Sequence, residues 1–406
     1  MKRLIAKLIY FFRSKRLSKY LITILFYVGI FALVFVFSKD EVVTSILGTI
    51  IGFLASGILI YFAKAFFGSI EDVTKVSGDT KEMLDIYDGD PSYKKEIILN
   101  GTSQVVAYAD LLVNKGYKFI VEDNPDKEFT LDDFIANNFV ELFNAHTRSA
   151  IENSITIRLD DYKLTAENTY TLYLSRSTYY NHLVTNRVID FQLDDHLTLR
   201  QIYDFGPKVT PLGKSKMSNH IGINGLVFLN DGHLIVPRRR NDSTISKNKV
   251  TSSIAVKFNF PHGVSPYGKL TEEDLFKTSI LEALDSRLHL KDEYIENNPN
   301  IQIEFLGFGS NIYEGGKPQM YFAIFLDDVD LATYYSLIGD KKHKTKLDQD
   351  KAIYPVIYDK IHFDKKGNLV LPCYIEKHKR YENITLGYEK SFLCNIWHYQ
   401  QYLNNK

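Results

Sequence analysis

Two long apolar runs stand at the start of the chain. Residues 20–38 carry no charge and, at about 1.5 Å per residue, would span roughly 28 Å, close to the hydrocarbon thickness of a bilayer. Residues 42–67 are uncharged apart from Lys64, and only Lys39, Asp40 and Glu41 separate the two runs. The pattern predicts two transmembrane helices, at about 20–38 and 42–67. A cleaved leader is the competing reading of the first run, but no small-residue cleavage site follows it and a second run does. Seven Lys and Arg residues and no acid lie in residues 1–19, so the N-terminus is expected in the cytoplasm, and two crossings return the C-terminus there. The same basic stretch reads either as an interfacial amphipathic segment or as a disordered tail. Gly48, Gly52 and Ser56 recur every four residues, a spacing that lets helix backbones approach closely and that also arises by chance in membrane helices.

The pattern changes after residue 68. Residues 68–100 are polar, with Gly78, Gly89, Asp90 and Pro91, and read as a linker with a short helix near 80–87. Residues 101–210 mix apolar runs, at 104–113, 131–145, 154–159 and 169–174, with charged turns, which predicts a modest α+β region. Within it, Arg176 lies close in sequence to Tyr179 and Tyr180, where base stacking is one use and ordinary packing another. From Ser218 the pattern is β: a buried-looking strand at 221–229, an Asn230-Asp231-Gly232 hairpin turn, a return at 233–237, and further strands at 251–258, 301–308 and 320–326. Residues 331–406 supply more helix and strand and the lone Trp397.

Composition narrows little. The 406 residues suit two or three domains, and the 49 basic residues balance the 49 acidic ones, so net charge names no partner. Aromatic residues make up 14 %, which suits packed β structure and stacking surfaces. Cys373 and Cys394 are far apart and form no C-x-x-C pair, so reduced thiols are expected.

Residues 268–290, GKLTEEDLFKTSILEALDSRLHL, carry the candidate chemistry. Their length and frame resemble a Nudix box, G-x5-E-x7-R-E-U-x-E-E-x-G-U with U apolar. Gly268 takes the first glycine, Asp274 the first glutamate, and Leu284 and Leu290 the apolar positions. Ala283, Ser286 and Arg287 stand where the three helix glutamates belong, Glu282 replaces the arginine and His289 the second glycine. Spacing puts 283, 286 and 287 on one helix face, which in this segment lacks the carboxylates that hold Mg2+. Arg287 repels a divalent cation and suits a phosphate. The same stretch also reads as an ordinary capped helix. Thr271 and Asp274 form a capping box, Leu270 and Leu275 a staple, and Leu281, Leu284 and Leu288 a core stripe.

With the double apolar run, the whole chain resembles the two-transmembrane Nudix-like effectors of bacterial cyclic-oligonucleotide antiphage signalling systems (CBASS). The pieces that match are Ser218–Gly225, Asp231-Gly232, Arg238–Arg240, the box and Gly315-Gly316-Lys317-Pro318. The resemblance implies a membrane-anchored α/β protein. Residues 1–69 would hold the transmembrane hairpin, 70–210 the linker and intermediate α+β region, and 211–406 a Nudix-like α/β/α sandwich that senses nucleotide. It implies a multi-pass protein of the bacterial inner membrane. A cyclic oligonucleotide from a partner cyclase (CD-NTase) would bind and drive homo-oligomerisation, and the lipid bilayer would be disrupted, causing abortive infection. No DNA or RNA polymer, cofactor, catalytic residue or metal is expected. The candidate ligand residues are Arg238, Arg240 and Arg287 for phosphate, Asn219 and Asn224 for bases or sugar, and Tyr179, Tyr180 and Lys317. A solvated basic turn is the plain alternative for the arginines. Two other functions stay open: a membrane-tethered hydrolase using Glu282, Asp285 or Asp274, and a membrane scaffold with a protein-binding domain.

Overall fold

The structure, a computed structural model, describes residues 80–146, 153–193, 197–239, 249–258, 260, 265–295, 298–338 and 353–406. These fall into two compact units, one with 80–90 and Ile189–Thr210, the other with Pro91–Val188 and Pro211–Lys406.

In the first unit a helix, Leu199–Tyr203, is opened by a full capping box between Thr198 and Gln201. Its Arg200 is buried, and its Nε and Nη2 donate to the two Asp190 carboxylate oxygens at 2.6 and 2.8 Å. Arg200 Nη1 also donates to the Tyr87 hydroxyl at 3.0 Å, and that hydroxyl lies 2.9 Å from Asp204 Oδ2. A buried guanidinium needs such partners, because an unpaired one would carry the full cost of desolvation.

The second unit is built on strands. In chain order they are β1 (Tyr93–Leu99), β2 (Thr102–Val113), β3 (Lys118–Glu128), β4 (Ile155–Ala166), β5 (Thr169–Thr178), β6 (Gly222–Leu229) and β7 (His233–Pro237). They continue with β8 (Ile254–Lys257), β9 (Ile301–Asn311), β10 (Lys317–Leu326), β11 (Ile353–Ile357), β12 (His362–Phe363), β13 (Leu369–Ile375) and β14 (Arg380–Thr385). Eleven of them form one sheet in the order β1-β2-β9-β10-β6-β7-β11-β13-β12, with β8 beside β6 and β14 beside β13. The pair β6–β10 is parallel, and their other pairings are antiparallel. Three strands form a second sheet, β3-β5-β4.

Strand alternation explains the core. Met320, Phe322, Ile324 and Leu326 of β10 join Ile223 and Val227 of β6 on one face, with the helix residues Ile280, Leu284 and Leu288 and with Leu159 and Leu172 of the small sheet. Tyr321 and Ala323 turn to the other face with Leu226, Phe392, Leu393 and Tyr399. Coverage on both sides makes every residue of β6 buried, hence its nearly continuous apolar sequence, broken only by Asn224, whose amide is hydrogen-bonded. Each such Leu, Ile or Phe contributes about 1.5–3 kcal/mol by leaving water. The turn read from Asn230-Asp231-Gly232 is present: Gly232 has φ +85° and its N–H donates to Leu229 O at 3.0 Å.

The expected membrane-anchored α/β architecture, with a C-terminal α/β/α sandwich, is corrected. The described chain is dominated by sheet. Residues 93–99, read as linker, form β1. The short apolar runs at 154–159 and 169–174 are parts of the long strands β4 and β5. The large sheet also crosses the expected division at 210, because β1 and β2 join it through β9. Alternating half-buried strands of this kind give a weak local signal, and partners distant in sequence complete them.

The multi-pass inner-membrane placement is corrected too. Among the described residues no helix is long and apolar enough to cross a membrane. The longest, Lys390–Asn405, has 16 residues and includes Asn395, His398, Gln400 and Gln401, against the roughly 20 apolar residues a spanning helix needs. The runs at 20–38 and 42–67, with Gly48, Gly52 and Ser56, lie outside the described residues.

Candidate functional site

The box segment keeps its local skeleton. Thr271 N–H donates to Asp274 Oδ2 at 2.8 Å, and Asp274 N–H donates to Thr271 Oγ1 at 3.3 Å, which is the capping box. Leu270 and Leu275 are buried together in the core. A π-helical turn, Asp274–Thr278, leads into the helix Ser279–Leu288. At its end His289 adopts φ +60°, and its N–H donates to Asp285 O at 2.8 Å. That left-handed cap stands where the box pattern has its second glycine.

The helix face that would carry metal in a complete Nudix box is divided here. Ala283 is buried among Ile280, Leu284 and Leu288, whereas Ser286 and Arg287 are exposed. Asp274 is engaged in the cap. Among the described residues no group of three or more His, Cys, Asp or Glu is placed to hold a metal ion. Cys373 and Cys394 are free and buried, and burial raises both thiols above their ordinary range.

Arg176, read as a stacking candidate, is 1 % exposed and serves another purpose. It donates to both Asp123 oxygens, to Pro266 O at 2.6 Å and to Gly268 O at 2.7 Å. Leu270 N–H donates to Asp123 Oδ2 at 2.9 Å. The pair thus fixes the box loop to the small sheet.

Four of the ligand candidates, Tyr179, Asn219, Asn224 and Lys317, come together around Glu314. Lys317 Nζ lies 3.2 Å from Glu314 Oε2, and Arg187 pairs with the other oxygen. Burial pushes the Glu314 carboxyl up, but Arg187 and Lys317 outweigh it and hold it down at about 2. Burial also lowers the Lys317 ammonium, with Glu314 opposing. Asn186 and Asn219 make a reciprocal pair: Asn186 Nδ2 donates to Asn219 Oδ1 at 3.0 Å, and Asn219 N–H donates to Asn186 Oδ1 at 2.8 Å. Asn186 Nδ2 also lies 2.8 Å from Glu314 O. Asn224 Nδ2 donates to Gln319 Oε1 at 2.8 Å, and Gln319 Nε2 lies 3.5 Å from Glu314 Oε2. Gly222 makes room for that amide, since a Cβ there would stand 2.1 Å from Gln319 Oε1.

Beside this network lie three rings. His182 and His220 stack at 3.6 Å between centroids, and Tyr179 lies 6.1 Å from His220 in a nearly parallel plane. Lys257 Nζ is 5.0 Å above the Tyr179 ring. Tyr179 is half-buried, whereas both histidines are enclosed. Burial lowers both imidazoles well below their ordinary value, and the Lys317 and Arg187 cations add to it, so both are neutral at pH 7. Asn219 has φ +48°, a conformation that L residues rarely adopt, and its Nδ2 has no hydrogen-bond partner among the described residues. The same is true of His220 Nδ1.

The other candidates sit apart. Tyr180 packs on Phe143 at 5.0 Å. Arg238 bridges to Val250 at the end of β7, Arg287 is exposed on the box helix, and Arg240 lies outside the described residues. Among the described residues no hydrogen bond or ion pair joins Arg238, Arg287 or Tyr180 to the network. The sequence reading missed His182, Arg187 and Gln319. One signal was available: His182 follows Tyr179 by three residues in the helix Tyr179–Leu183, which puts the two on one face.

Compared with known proteins, the chain matches no family model and no curated protein sequence.

Proposed function

We propose that this protein is a non-hydrolytic receptor for a nucleotide-class ligand, a cyclic oligonucleotide made by a partner cyclase. One observation carries the reading. The half-buried Tyr179 ring lies against a neutral histidine pair, close to the Arg187 and Lys317 cations, with the buried Asn219 Nδ2 donor and the buried His220 Nδ1 unengaged. An aromatic face suits a base, the cations suit phosphate, and an amide donor suits a base edge or a sugar hydroxyl. The resemblance to the antiphage effectors supplies the ligand class. The buried Ala283 and the capping role of Asp274 weigh against the hydrolase reading, which needs carboxylates facing a metal.

Calorimetry of the full-length protein against cyclic di- and trinucleotides, with linear nucleotides as controls, tests the proposal. A ligand at a hundredfold over its dissociation constant stabilises the fold by about 2.7 kcal/mol, so thermal shift provides a parallel readout. Binding by the wild type, weakened about tenfold or more in Tyr179→Ala and Asn219→Asp, is expected. The proposal fails if no cyclic nucleotide binds, or if both variants bind as the wild type does. Light scattering in the same titration reports whether the ligand favours an assembled state, which requires tighter binding to that state.

A further inference from the structure

The small sheet carries a second site, independent of the nucleotide reading. Strands β3, β4 and β5 and the box loop line an open pocket of about 620 Å³. Its walls include Lys127, Arg158, Asp160, Asp161, Tyr173 and Lys269. The volume is in the range of small-molecule sites, roughly 300–1,000 Å³.

Arg158 is the informative residue. It is 8 % exposed and runs beneath the Phe129 ring, 5.1 Å from its centroid. Nη1 donates to Asp160, Nη2 has only a long contact to Ser215 O at 3.4 Å, and Nε has no hydrogen-bond partner among the described residues. Burial lowers the guanidinium to about 10, which leaves it charged at neutral pH. Buried guanidinium N–H groups are costly to leave unmade. The Nε–Nη2 edge is also one of the two edges that can grip an oxyanion with two parallel bonds.

Charge around this edge favours an anion. Asp160 is shared by Arg158 and by Lys127, whose Nζ is 2.7 Å from Oδ2, and it also accepts from Ser175 Oγ at 2.8 Å. Two cations on one carboxylate leave a local positive excess at Arg158, while the lining as a whole balances four cations against four carboxylates. Lys269 adds an exposed ammonium at the box loop. Asp161, paired with Lys163 at 3.3 Å, and the exposed Glu122 provide hydroxyl acceptors elsewhere in the same pocket, and Tyr173 offers an apolar wall.

We propose that the pocket binds a hydroxylated phosphate monoester. The phosphate sits on the Nε edge of Arg158 with Lys127 and Lys269, and the hydroxyl groups face Asp161 and Glu122. Titrating the full-length protein with ribose 5-phosphate, inorganic phosphate and ribose by calorimetry tests this. Ribose 5-phosphate binds more tightly than either fragment, and Lys127→Ala and Lys269→Ala, both exposed and compatible with folding, each weaken it about tenfold. Arg158→Lys keeps the charge, loses the fork and weakens it further, while Tyr179→Ala leaves this binding unchanged. The proposal is overturned if ribose 5-phosphate does not bind, if inorganic phosphate or ribose binds equally well, or if the two lysine variants bind like the wild type. Loss of cyclic-nucleotide binding in Tyr179→Ala with ribose 5-phosphate retained separates the two sites.

Discussion

Arg176 Nη1 and Nη2 meet the two carboxylate oxygens of Asp123 at 2.6 and 2.7 Å, with both side chains out of contact with solvent. The residues lie on neighbouring strands of the small sheet, and each also holds the box loop, Arg176 through Pro266 O and Gly268 O and Asp123 through Leu270 N–H. Removing one partner leaves a charge buried and unpaired. Arg176→Met is therefore expected to cost about 3–5 kcal/mol in urea denaturation. The double variant Arg176→Met with Asp123→Leu should lose clearly less than the sum of the singles, since it leaves no lone charge. Strict additivity in the double-mutant cycle would contradict the coupling.

Acid sensitivity should come in two stages. The folded His182 and His220 are held well below their ordinary value, so below about 6.5 the unfolded chain takes up protons that the folded one refuses. Their contribution is present above that pH and is lost as pH falls. His398, lowered to about 4 by burial, acts in the same direction. Glu314 contributes the second stage, because its folded value of about 2 lies below that of an unfolded carboxyl, so its stabilisation is lost as pH falls from roughly 4.3 toward 2. In denaturation followed against pH, His182→Leu should flatten the first stage and leave the second. An unchanged slope between pH 6.5 and 5 would count against a neutral buried pair.

His289 caps the box helix with φ +60°. An L residue in that conformation carries strain that glycine avoids, so His289→Gly should stabilise the protein by about 1 kcal/mol. Differential scanning calorimetry gives the check, and a lower melting temperature would mean that the imidazole contributes more than the strain costs.

Ala283 distinguishes a core face from a vacated metal face. It is buried among aliphatic side chains, so Ala283→Glu should destabilise by roughly 3 kcal/mol or more, and adding Mg2+ should not restore the loss. A variant that stays stable, or one that Mg2+ rescues, would show that this position opens onto a site.

What the sequence by itself determined is short-range. Asn230-Asp231-Gly232 specifies the β6–β7 hairpin because only a few φ/ψ combinations close it, and glycine supplies the positive φ. Thr271 and Asp274 start the box helix because their bonds to each other span three residues. Asn219, Asn224, Tyr179 and Lys317 were legible as polar or aromatic residues in turn and strand contexts, but their meeting around Glu314 was not.

Tertiary structure decided the rest. Nothing local in residues 93–113 shows that β2, carrying β1 on its other edge, pairs with β9, about two hundred residues away. Half-buried alternation fits many partners, and the sheet chooses among them by burying both faces at once. In sequence Arg176 beside Tyr179 and Tyr180 fits base stacking or ordinary packing, and only the closing of Asp123 and the box-loop carbonyls around it decides. Charge and aromatic neighbours are visible in sequence, but burial is not, and burial converts a cation from a binding group into a structural one.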